Sequence, residues 1–187
     1  MRSALVQGKL SNAPEGSRMT SANLLADAFG RIHDAVHNAA DNLTPEELAF
    51  RPYPDGNSIA WLIWHLTRIQ DDHIAEVAGT GQVWQSGEWA PRFGLEPGSM
   101  DTGYGHAPDQ VAKITVDSSE VLTEYYDAVH ARTLRFVATI TDDDLPRVVD
   151  RNWDPPVTLG VRLVSVINDD LQHAGQAAYL RGMIEYG

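Results

Sequence analysis

Asp169 and His173 stand four residues apart in Asn168–Gln176, inside a stretch with helical periodicity, so a carboxylate and an imidazole share one helix face one turn apart. Far upstream, Trp61-Leu62-Ile63-Trp64-His65-Leu66 sets a second histidine in the middle of the most apolar helical run of the chain. Neutral imidazole and carboxylate suit Zn, Ni, Fe or Mn, and two histidines with one carboxylate leave coordination positions for water and substrate. Taken alone, an inward histidine is more often a satisfied core group, and a D-x-x-x-H spacing arises by chance on many exposed helices. A buried aspartate without a partner costs several kcal/mol, however, and a divalent cation shared by His65, Asp169 and His173 would account for all three.

Two side chains on the same face are candidates for supporting that site. Gln176 follows His173 by three residues, so its amide can orient a ligand or meet a bound water; an ordinary polar residue at a helix seam is the equal alternative. Arg162, seven residues before Asp169, can pair with that aspartate or with an anionic substrate, although such arginines are more often solvated. His73 lies in the neighbouring sector and is the substitute ligand. His33 and His37 are also spaced i, i+4, and read as solvated or packing histidines; His106 and His130 have no partner at useful spacing. The five tryptophans read as core or loop anchors. The chain has no G-x-S-x-G, no P-loop and no H-E-x-x-H.

The net charge of −12, with only 14 Lys and Arg, opposes attraction to nucleic acid or an anionic membrane. No apolar run approaches the roughly 18 residues needed to cross a bilayer. The absence of cysteine rules out thiolate ligands, disulfides and a cysteine nucleophile, so any metal must take N and O donors. These features fit a cytoplasmic protein, and 187 residues suit one domain.

The elements that must position these residues follow from caps and periodicity. Residues 1–18 mix Ser, Asn, Pro and Gly without period and read as a flexible leader, leaving 19–187 as the domain. A first long helix is expected from Thr20 or Ser21 to about Ala40, and a short one after Thr44-Pro45. A second long helix runs from Asn57 or Ser58 to about Ala78, where Gly79 stops it. The Gly79–Asp117 stretch carries Trp84, Trp89, Phe93 and Tyr104 and reads as a long connection packed over the helices, the wall of a pocket. A third long helix is expected from Ser118 or Ser119 to about Ile140, then a hairpin or extended loop around Val148-Val149 and Val157-Thr158. A fourth begins near Thr158 and ends about Glu185. The economical fold is all-α: an antiparallel four-helix bundle with its long connection between the second and third helices.

The order of the two anchors, Ala60–Leu66 and Asp169–Gln176 with a helix between, resembles the DinB-like superfamily of four-helix metal proteins, which includes the N-terminal domain of mycothiol-dependent maleylpyruvate isomerase. The resemblance covers about Met19 to Glu185. It implies a metal held by a histidine on the second helix and a His-x-x-x-His pair on the last; Asp169 stands where the first member of that pair would be, and the isomerase branch also uses a carboxylate there. It further implies a thiol S-transferase or isomerase whose metal, Zn, Ni or Fe, activates mycothiol or bacillithiol for attack on a small electrophile. The chain ends at Gly187, without the isomerase's additional domain, so maleylpyruvate isomerisation is not expected. A metal-dependent hydrolase, active without thiol, and a non-catalytic stress-associated small-molecule-binding bundle are the competing readings. Pairing of two copies into a homodimer through a helix face suits such bundles; the sequence does not establish it.

Overall fold

The computed structural model describes residues 19–187, so the expectation of a flexible leader over 1–18 lies outside the described residues. Helix α1 spans Ser21–Ala40, and its Thr20 Oγ1 accepts the Asn23 N–H at 3.2 Å. The short α2, Pro45–Leu48, is closed by a reciprocal cap: Thr44 Oγ1 accepts from Glu47 N–H while Glu47 accepts from Thr44 N–H. In α3, Ile59–Ala78, Ser58 Oγ accepts the Trp61 N–H, and Gly79 ends the helix at φ +66°, a left-handed conformation that glycine adopts at no steric cost.

The connection that follows contains three single-turn helices whose positions periodicity did not reveal: α4 (Val83–Ser86), α5 (Trp89–Arg92) and α6 (Pro108–Val111). Helix α7, Ser119–Val137, stops three residues short of the expected Ile140, because Thr139 and Ile140 bond to carbonyls three residues back and tighten the chain out of the helix. Strands β1 (Val148–Asp150) and β2 (Val157–Thr158) form an antiparallel pair, Val148 opposite Thr158. The second strand leads into α8, Leu159–Tyr186, capped by Thr158.

The fold is mostly helical, with one two-stranded sheet. Helix α3 packs on α7 and α8, and α1 packs on the same two, so each long helix buries one side against two neighbours. Fifteen of the twenty residues of α3 are buried, which makes it the central helix and forces every polar group on it to find a partner. Arg68 and Asp71, 0% and 1% exposed, meet that demand together. Arg68 donates to the Tyr125 hydroxyl at 3.2 Å and to the Asp101 carbonyl at 3.1 Å; Tyr125 donates to Asp71 at 3.0 Å, and Asp71 accepts the Val83 and Trp84 N–H groups that open α4. Burial pushes the Tyr125 phenol well up, so it stays a donor. Trp61, Trp64, Trp84 and Trp89 are buried, whereas Trp153, expected as an anchor with the rest, is 67% exposed on the hairpin loop.

Candidate metal centre

The apolar run of α3 and the middle of α8 face one another, and one ligand atom from each of His65, Asp169 and His173 lies within 4.8 Å of the others. His65 is 6% exposed; its ring stacks on Trp61 with centroids 4.6 Å apart and meets the His173 ring edge-on at 4.9 Å. Its Nδ1–H donates to the Thr102 carbonyl at 2.5 Å, which leaves Nε2 with the lone pair. Burial pushes the His65 imidazole below its ordinary value, against the opposing pull of that hydrogen bond, so the ring is held neutral. On α8, His173 Nδ1 lies 3.3 Å from Gln176 Oε1, an acceptor that fixes the same tautomer, and His173 Nε2 lies 3.6 Å from Asp169 Oδ1. Two imidazole Nε2 atoms and a carboxylate oxygen are a donor set for a borderline divalent cation. Asp169 Oδ2 is buried without a hydrogen-bond partner among the described residues, as a carboxylate kept for a cation would be. The residues fit the metal.

The connection between α3 and α7 supplies the support that sequence reasoning missed. Thr102 and Gly103 lie directly over His65: a Cβ at Gly103 would fall 2.7 Å from the Trp64 ring and 2.9 Å from His65 Nδ1, and Gly103 sits at φ +85°. Replacing Gly103 with alanine should therefore cost about 2–4 kcal/mol, the sum of left-handed strain and overpacking, and displace the Thr102 carbonyl. Thermal unfolding checks this; an unchanged melting temperature would contradict the close approach. Asp101 belongs to the same support. Burial opposes its ionisation, but the Gly103 N–H and His106 outweigh that and hold the carboxyl below its ordinary value.

Several expected placements are corrected. His106 does have a partner: its Nε2 lies 2.8 Å from Asp101 Oδ2, and its Nδ1 accepts from the Trp61 indole at 3.1 Å. His130 lies 4.8 Å from the His33 ring; burial, reinforced by His33, pushes it down to about 4. Arg162 is not at the metal centre. Seven residues of helix separate it from Asp169 by about 10 Å, and the β-hairpin brings Asp150 to it at 3.1 Å, with His73 Nδ1 at 3.3 Å on its other side. Together with Asp72 and Glu76, these three line a separate polar cleft of about 570 Å³, so His73 is not placed as a substitute ligand either. Asp170, to which no role was given, is the carboxyl that is fully buried; burial and the neighbouring Asp169 push its pKa well up.

A cleft of about 940 Å³ opens beside Gln176, lined by Leu62, Leu171, Tyr179 and Met183 and by the turn at Pro52, Tyr53 and Asn57. The Gly79–Asp117 connection packs over α3 as expected, backs His65, and walls a separate cavity of about 630 Å³ through Trp84, Trp89, Pro91 and Met100; the cleft beside Gln176 is not lined by it. No described helix is long and apolar enough to cross a membrane.

The profile of the mycothiol-S-transferase family matches residues 24–185, nearly the whole described chain. Among solved structures, a conserved protein from Enterococcus faecalis is 32% identical, covering 91% of this chain and 100% of its own, and superposes with a TM-score of 0.83. No curated protein matches. The matched span includes both anchors, the α3 histidine and the α8 pair, and on that match the chain belongs to the mycothiol-S-transferase family, within the DinB-like superfamily.

Proposed function

We propose that the protein is a metal-dependent S-transferase that joins a low-molecular-weight thiol, mycothiol or a similar thiol such as bacillithiol, to a small electrophile. One observation carries the reading: His65 and His173 each have Nδ1 tied to an oxygen, so both Nε2 atoms are free to meet Asp169 at one point. A divalent cation, Zn, Ni or Fe, bound there would supply a lowered thiol pKa and hence thiolate at neutral pH. The chain's own residues do the rest. Thr102 and Gln176 hold the two imidazoles in the ligating tautomer. Trp61 covers the His65 face and keeps water from one side of it. The cleft beside Gln176 offers Leu62, Leu171 and Tyr179 to an apolar electrophile, with the Gln176 and Asn57 amides as its polar contacts. An antiparallel four-helix bundle is the arrangement we infer for the helices, and the cytoplasm, where such thiols are kept reduced, is the location that suits the reaction.

Metal-loaded protein given mycothiol and an alkylating electrophile such as monochlorobimane should form the S-conjugate well above the thiol's own rate, and form none without thiol. Absence of thiol-dependent turnover with every low-molecular-weight thiol tried would overturn the assignment. Turnover of an ester or amide without thiol would move it to a hydrolase.

A further inference from the structure

A second cluster stands at the interface of α1 and α7, on helices that contribute nothing to the centre described above. His33 and His37, one turn apart on α1, have ring centroids 4.5 Å apart. Both turn Nε2 toward the same atom, Asp127 Oδ1 on α7, at 3.0 and 2.9 Å. Around a tetrahedral cation with bonds of about 2.0–2.1 Å, ligand atoms lie roughly 3.3 Å apart, so a small outward swing of Asp127 would seat one.

The far nitrogen of His37 is held as a ligand's would be. His37 Nδ1 is hydrogen-bonded to Asp41 Oδ2 at 3.2 Å, whereas His33 Nδ1 has Asp34 Oδ1 no nearer than 3.6 Å, beyond hydrogen-bond reach. With a cation on the Nε2 side, the His37 Nδ1–H would keep its carboxylate, the pattern that orients metal-bound histidines in proteins. His130, from α7, adds an independent observation. Its ring lies 4.8 Å from that of His33, and its Nδ1 is buried with no hydrogen-bond partner among the described residues. The His33, His37 and Asp127 side chains are 34%, 27% and 49% exposed, so an ion can enter from solvent.

We propose that His33, His37 and Asp127 form a second divalent-metal site that fastens α1 to α7. Two imidazoles and one carboxylate select a borderline cation, Zn²⁺, Ni²⁺ or Cu²⁺, over Mg²⁺ or Ca²⁺.

The test is a Zn²⁺ titration of untagged, chelator-stripped protein against a chromophoric competitor, with folding followed by circular dichroism. The intact chain should take two equivalents. His173→Ala should retain one, His37→Ala should retain one, and the double variant none; Asp127→Asn in the His173→Ala chain should weaken the remaining equivalent about tenfold or more. If His37→Ala fails to fold, His33→Gln reports on the same site. One equivalent in the intact chain and none in His173→Ala overturns the second site and leaves the first standing. An equivalent in His173→Ala that survives both His37→Ala and Asp127→Asn also overturns it. One equivalent in the intact chain that is lost in His37→Ala and kept in His173→Ala supports the second site and counts against the first.

Discussion

Replacing Arg68 with methionine is expected to destabilise the protein by about 3–5 kcal/mol, which for a chain of this size lowers the melting temperature by roughly 6–20 °C. Methionine keeps most of the apolar stem but removes the charge, leaving the buried Asp71 carboxyl without the guanidinium that lies 3.6 Å away in the intact protein. The same substitution deletes the donors to the Asp101 and Met100 carbonyls, which sit just before Thr102. Because the Thr102 carbonyl holds His65 in its tautomer, metal affinity should fall along with stability. Calorimetry on the stripped protein separates the two effects. A loss under about 1 kcal/mol would mean that Tyr125 and the α4 N–H groups already satisfy Asp71 without Arg68.

Replacing His173 with alanine should reduce metal affinity at the α3–α8 centre by more than about 100-fold and bring thiol-dependent turnover to background, while leaving the fold intact. His173 is the better choice for this purpose because its side chain is 18% exposed and lies at the edge of the centre. His65→Ala should abolish binding as well, but at 6% exposure it also opens a cavity against Trp61 and costs stability of its own. Competition titration and circular dichroism on both variants distinguish lost ligation from lost structure. Turnover undiminished in folded His173→Ala would remove the imidazole from the reaction.

Much of this was legible because it is local in sequence. The i, i+4 spacing of Asp169 and His173 fixed their shared face, and Ser58, Thr158 and Gly79 marked helix ends through hydrogen bonds and dihedral angles that involve only near neighbours. His65 stood out because an imidazole in so apolar a run needs a partner. What escaped depended on partners distant in the chain. His33 and His37 read as solvated or packing histidines because Asp127, on whose Oδ1 they converge, is 90 residues from His37 on another helix. Thr102 acts through its backbone carbonyl, which no side-chain pattern announces. Arg162 shares a helix face with Asp169, yet the hairpin folds Asp150 against it, and a closer carboxylate wins over one two turns along. Asp170 drew no attention in the sequence, where Asp169 has the i, i+4 partner His173; a 100° step around the helix takes Asp170 from the partly exposed face into the interior.

A cation held by His65, Asp169 and His173 would act on the thiol sulfur directly. Cobalt-substituted protein tests it: adding mycothiol to the Co²⁺-loaded chain should produce a thiolate-to-cobalt charge-transfer band in the near ultraviolet. The band should be absent from the His65→Ala, His173→Ala double variant and absent when the mycothiol is supplied as its disulfide. S-conjugate formation without any such band, or a band that persists in the folded double variant, would contradict the account.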